Sequence, residues 1–214
     1  TFENFITGSS NKLAFEASLK VSENISNYNP LYIYGGVGMG KTHLLNSIGF
    51  ELKKNSNVMF ISAERFMYHF IKSIKKNDMV NFKDFFRKSS VFIIDDIQFI
   101  RGKESLQEEF FHTFNSLMDK GSQIIISADR APMKLDRVQD RIKSRLAGGL
   151  VVDIDVPELE LKVKILIFID IVEIDSIYSL CECLNDFEEF EKDIVNIIIE
   201  KSINKKKNID GLLS

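Results

Sequence analysis

The chain has 214 residues, room for one complete α/β core and a smaller second lobe. Its 44% hydrophobic and 28% charged residues exclude a disordered polymer, and a net charge of −3 excludes a global pull toward nucleic acid, so any such contact has to come from a local basic patch. The two cysteines, Cys181 and Cys183, are too close together to staple a fold and read as free thiols of a cytoplasmic protein, while no stretch approaches the roughly 20 apolar residues of a membrane span.

The opening TFENFITGSS has neither a basic start nor an apolar run, so no secretory signal is expected there. Leu31 to Tyr34 is the first of four short runs rich in β-branched and aromatic residues, the others being Val58 to Ile61, Val91 to Ile94 and Gln123 to Ser127. Short, mainly apolar runs of that length predict buried strands of a parallel sheet. Leu150 to Ile154 is expected to complete five strands. Between them, apolar residues recur at three-and-four spacing, as in Phe66, Phe70, Ile71 and Ile74, or Phe110, Phe111, Phe114, Leu117 and Met118, which predicts helices. Strands alternating with helices imply right-handed crossovers and a three-layer αβα sandwich, with ligands at the carboxyl ends of the strands. From Pro157 onward the pattern reads as helical to the end, which sets the expected boundary between an α/β domain over 1–156 and a small helical lobe over 157–214.

Two motifs carry chemistry. Gly35-Gly36-Val37-Gly38-Met39-Gly40-Lys41-Thr42 fits GxxxxGK[ST], directly after a strand and directly before a helical pattern beginning at His43. Glycines let backbone amides wrap phosphates, and the following helix end adds partial positive charge. Lys41 is expected to reach the β and γ phosphates of a nucleoside triphosphate, with Thr42 as a Mg²⁺ ligand. The second motif is Val91 to Asp96, an apolar strand ending in two carboxylates. In a P-loop NTPase the first, Asp95, would hold Mg²⁺ through water and the second, Asp96, would orient or deprotonate the attacking water.

The segments YNPLYIYGGVGMGKTHLLNSIG, FIIDDIQFIRGKESLQEEFFHTFNSL, IISADR and QDRIKSRLAGGLVVDI together resemble the AAA+ domain of the bacterial chromosomal replication initiators of the DnaA family. The likeness is collinear over about residues 1–166. It implies an ATP/ADP switch that assembles head to tail on single-stranded origin DNA, opens the strands and is reset by slow hydrolysis. It places Ile6 and Asn11 near adenine and ribose, extends the nucleotide contacts to His43, and puts Asp129 at the sensor 1 position beside the γ-phosphate. Arg145 falls at the arginine finger that reaches a neighbour's ATP, and Arg141 at a supporting subunit contact. The segment from about 64 to 88 matches the helical insertion of initiators, where Ile71, Lys72 and Lys75 are the expected single-stranded DNA contacts. Its Phe82, Phe85 and Phe86 are at helical spacing, which reads as core rather than as a base-stacking platform.

Departures are equally specific. Ser105 stands where the family has a basic residue on its single-stranded DNA face, and beyond Leu166 the likeness fades. KNIDGLL resembles the family's RELEGAL, which would put Lys207 in place of the sensor 2 arginine and keep the charge without the planar fork. Duplex DNA is expected to be read only by a domain that this sequence does not contain, and by resemblance the replicative helicase and acidic membrane lipids are further partners. Two other readings share the core: a regulatory AAA+ protein that docks on an initiator and stimulates its hydrolysis, and a helicase loader.

Overall fold

The computed structural model describes residues 1–24 and 28–172. They form two compact units that divide between Val156 and Pro157. The first holds helices α1 (Lys12–Glu23), α2 (Lys41–Leu52), α3 (Ala63–Lys75), α4 (Met79–Arg87), α5 (Glu104–Asp119) and α6 (Asp140–Ala147), with strands β1 (Leu31–Gly35), β2 (Val58–Ser62), β3 (Val91–Asp95), β4 (Gln123–Ala128) and β5 (Leu150–Ile154). Of the second unit, α7 (Leu159–Val172) is described. Lys207, the cysteine pair and the remainder of the expected helical lobe lie outside the described residues.

All five strands are parallel, in the order β2-β3-β4-β1-β5. Each expected strand is present, four of them one residue longer at the carboxyl end than the apolar run suggests, because Gly35, Ser62, Asp95 and Ala128 continue the ladder. Alternate strand residues face opposite layers, so a wholly apolar strand needs helices on both sides. Leu31, Ile33, Val91, Ile93 and Ile125 pack with Leu44, Leu45 and Ile48 of α2 and Ala14, Ala17 and Val21 of α1. Their neighbours Tyr32, Phe92, Ile94, Ile124 and Ile126 point the other way, into a core built with α3, α4, α5 and α6. The sheet is thus the middle of three layers.

The insertion expected at about 64–88 is the pair α3 and α4. Ser62 caps α3 by accepting from the Arg65 N–H at 3.2 Å, a hydroxyl role common at helix starts. Phe66 lies at the centre of an aromatic cluster, 4.9 Å from Phe86 and 5.4 Å from Phe82 between ring centroids. Each such ring, fully buried, contributes about 1.5–3 kcal/mol of transfer free energy. The expectation that the insertion aromatics are core holds for Phe82 and Phe86 and fails for Phe85, which is 54% exposed. At 3.6 residues per turn Phe86 lies about 40° from Phe82 around the helix and Phe85 about 60° the other way, so Phe85 falls past the edge of the apolar stripe. The Arg87 guanidinium donates to Glu109 at 2.8 Å and pins α4 to α5. No described helix is long and apolar enough to cross a membrane.

Candidate functional site

Strand order brings the two motifs together. The phosphate loop leaves β1 and the acidic pair ends β3, and β4 runs between them, so the two motifs are separated by two strand spacings, roughly 10 Å. Whatever joins them must pass over the end of β4.

The loop hands over to α2 at Gly40, whose φ of +90° is open to glycine at little cost. A Cβ at that position would also come within 3.1 Å of the Phe5 ring. Gly38 is left-handed as well, at φ +78°, whereas Val37 is 90% exposed at the loop tip. α2 begins at Lys41, two residues earlier than the apolar pattern suggests, with no side-chain cap and no acid in its first turn. Its first amides therefore remain available to an anion, as in other phosphate loops. The Lys41 ammonium is folded back, donating to the Gly35 carbonyl at 2.8 Å and the Gly36 carbonyl at 2.7 Å.

Across β4, the Thr42 hydroxyl donates to Asp95 Oδ2 at 2.8 Å, and the Ser127 hydroxyl donates to Asp95 Oδ1. Ser127 also accepts from the Asp96 N–H at 2.8 Å, so its single hydroxyl serves both acids. Asp96 itself is left-handed, at φ 58° and ψ 54°. Gln98 continues the chain, donating to Asp96 Oδ1 at 3.0 Å and accepting from the Asp129 N–H at 3.2 Å. Asp129 is gripped by Arg130, whose guanidinium approaches it at 2.8 and 3.0 Å, while Arg130 also reaches Asp136 at 3.2 Å. Beneath them the Tyr32 hydroxyl donates to the Arg130 carbonyl at 2.8 Å. Burial, with Asp129 and Tyr34 nearby, pushes the Tyr32 phenol far above its ordinary range, so it stays a neutral donor at any physiological pH.

Thr42, Asp95, Asp96 and Asp129 thus lie on one hydrogen-bonded path, and two members of that path, Ser127 and Gln98, carry no motif signal. A hydroxyl just after the apolar run Ile124 to Ile126 and an amide two residues beyond the acid pair are the only traces they leave. Asn11 is buried, its side chain accepting from the Gly8 N–H at 2.8 Å and donating to the Ile6 carbonyl at 3.0 Å. It shapes the loop that holds Ile6. His43 hydrogen-bonds the Thr1 carbonyl at 3.0 Å, edge-on to Phe5. Replacing Ser127 with alanine strips one partner from each acid in a fully buried setting, and a stability loss of about 1–3 kcal/mol in denaturant unfolding is expected.

Elsewhere, Arg141 and Arg145 are both exposed on α6 but differ in company. Arg141 bonds to Gln139 at 2.7 Å, pairs with Glu108 at 3.7 Å and sits 4.6 Å over the Phe111 ring. Arg145 has no side-chain partner among the described residues. Ile71, Lys72 and Lys75 are all exposed on α3, with the Lys72 ammonium 5.8 Å over the ring of Tyr68.

With this geometry in place, the family model for the bacterial DnaA ATPase domain matches residues 1–153. The chain belongs to the DnaA family. It is 43% identical to the chromosomal replication initiator protein DnaA of Rickettsia massiliae (strain Mtu5), in a match that spans all of this chain and 45% of that protein. The chain therefore spans about half the length of the curated DnaA relatives it matches. Among solved structures, domain III of the Thermotoga maritima replication initiation protein DnaA superposes with a TM-score of 0.80 at 38% identity, over 97% of this chain and 89% of that one. A DnaA bound to AMPPCP and single-stranded DNA gives 0.74 at 36% identity, over 98% and 64%. These neighbours fix the fold as the α/β AAA+ domain of DnaA.

Proposed function

We propose that this chain is the nucleotide switch of a bacterial chromosomal replication initiator. It binds ATP with Mg²⁺ at the phosphate loop, assembles head to tail on single-stranded origin DNA and promotes strand opening, and slow hydrolysis resets it. One observation carries the reading: Thr42 Oγ1 and Asp95 Oδ2 lie 2.8 Å apart at the foot of the loop. A hydroxyl and a carboxylate oxygen brought together at a phosphate loop are the hard donors that Mg²⁺ takes alongside phosphate oxygens. The donor set fits the ion, with Thr42 and Asp95 as its holders, and Mg²⁺ bound there would neutralise charge on the β and γ phosphates. Lys41 would leave its two carbonyl partners for the phosphates, and Asp96 would orient or deprotonate the attacking water. Asp129 would read the γ-phosphate from within the chain and Arg145 from a neighbour, with Arg141 supporting the contact. The relative bound to AMPPCP and single-stranded DNA supports both ligands. Lys72, Lys75 and Ile71 on the exposed face of α3 would meet the strand.

The test is sedimentation of the chain on a single-stranded oligonucleotide with Mg²⁺ and either ATP or ADP. Multimers with ATP that disperse with ADP and dissolve as salt rises are expected, since phosphate contacts release counterions. Monomers under every condition would remove the assembly reading. Ser105, exposed and uncharged in the first turn of α5, favours a second reading in which a related AAA+ protein docks on the initiator and stimulates its hydrolysis. That reading gains if ATP is bound but DNA adds nothing.

A further inference from the structure

Gln98 joins two groups whose roles the P-loop logic assigns separately. It lies half-buried in the 3-10 turn Ile97–Ile100 that follows Asp96. The two ends of its amide are used in opposite senses. Asp96 Oδ1 can only accept from it when ionised, and the Asp129 N–H can only donate to it, so the nitrogen and oxygen have one orientation that satisfies both. The turn does not need this side chain to close. Phe99 N–H bonds to the Asp96 carbonyl at 3.1 Å and Arg101 N–H to the Gln98 carbonyl at 3.1 Å, both through backbone alone.

Asp96 is therefore held at two separate points. Ser127 on β4 fixes its backbone, through the Asp96 N–H at 2.8 Å, and leaves the carboxylate free to rotate. Gln98 fixes the carboxylate, and its other end rests on the first residue after β4. A shift of Asp129 relative to β3 would pull on the Gln98 oxygen and turn the Asp96 carboxylate with it. The same shift would leave Asp95 anchored by Thr42 and Ser127.

We propose that Gln98 is a positioning residue that sets the Asp96 carboxylate by the position of Asp129, so that the water-orienting acid and the γ-phosphate reader move as one unit. The proposal rests on the reading of Asp96 and Asp129 given above. It differs from a purely structural role in what it predicts for the two ends of the amide. Leucine at position 98 keeps the bulk and removes both bonds. Glutamate keeps the oxygen that accepts from Asp129 and replaces the donor with a second carboxylate facing Asp96.

Single-turnover hydrolysis of ATP is measured for the unaltered chain, Gln98→Leu, Gln98→Glu and Asp96→Asn, with ATP affinity and melting temperature taken on each. For Gln98→Leu, affinity within about twofold of the parent and hydrolysis slower by about tenfold are expected, a part of the roughly 10²–10⁴-fold that a positioned general base contributes. For Gln98→Glu, which keeps an acceptor for the Asp129 N–H and offers Asp96 no donor, hydrolysis slows at least as much as for Gln98→Leu, with affinity again within about twofold of the parent. If Asp96→Asn is inactive while both Gln98 variants keep the parent's rate, the coupling is wrong and the role of Asp96 stands. If Asp96→Asn hydrolyses ATP at the parent's rate, the role of Asp96 falls and the coupling with it. Loss of ATP affinity or of a cooperative melt in both Gln98 variants also overturns the proposal, since the amide then supports the fold rather than the acid.

Discussion

Replacing Lys41 with alanine lowers affinity for ATP by about a hundredfold or more. Hydrogen bonds to a charged group contribute about 1.5–3 kcal/mol each, and the ammonium is the one cation of the phosphate loop, so losing two phosphate contacts accounts for that factor. Its position supports the size of the effect. Lys41 is only 8% exposed, held between the Gly35 and Gly36 carbonyls, so the charge is already desolvated and sits within the loop that would receive the phosphates. Titration with a fluorescent ATP analogue checks the affinity, and thermal melting in parallel shows that the fold survives. An unaltered affinity would refute the nucleotide-binding assignment of the whole loop.

Arg145→Ala has the second large effect, and it separates assembly from binding. In the isolated chain the side chain is exposed and makes no hydrogen bond or ion pair among the described residues, so its removal changes stability by no more than about 0.5 kcal/mol. Intrinsic ATP affinity, measured on monomer, should stay within about twofold of the parent, a difference below about 0.5 kcal/mol. Multimers on single-stranded DNA with ATP and Mg²⁺ should vanish, because an arginine supplied in trans gains its partner only when a γ-phosphate is present. Arg145→Lys recovers little, as a point charge cannot reproduce the planar fork. Sedimentation of both variants beside the parent decides the matter. Should ATP binding by the monomer be lost together with assembly, the arginine serves its own nucleotide and the trans assignment is wrong. Arg141 makes a useful contrast: already stacked on Phe111 and paired with Glu108, it has packing to lose as well as charge.

Much of this architecture is legible from residues alone, and the reason is local. A run such as Val91 to Ile94 is buried on both faces, so every position is apolar and the strand declares itself within a residue of its end. The phosphate loop is legible because its glycines, lysine and threonine are contiguous. Ser127 and Gln98 are not, since what makes them matter is a partner more than 30 residues away, Asp95 or Asp96 for the first and Asp129 for the second, brought near by the strand order. Periodicity carries no record of such pairings. Phe82, Phe85 and Phe86 show a finer limit, three identical rings in one turn of helix of which two are core and one faces water. Asn11 shows a third: its side chain ties the Gly8 N–H to the Ile6 carbonyl, a role in shaping the lead-in that no sequence pattern announces.

The ring of Phe5 leans on Gly40, lies stacked on Phe15 of α1 at 5.7 Å and meets His43 edge-on. The first ten residues otherwise contain only the 3-10 turn Phe2–Asn4, with no buried side chain in it. Such a segment opens at far lower free energy than the sheet. The phosphate loop therefore shares a wall with a weakly anchored stretch, and the two are thermodynamically linked. Any ligand that orders the loop around Gly40 also shields the lead-in from protease and from amide exchange, and by reciprocity whatever grips the lead-in tightens the loop by the same factor.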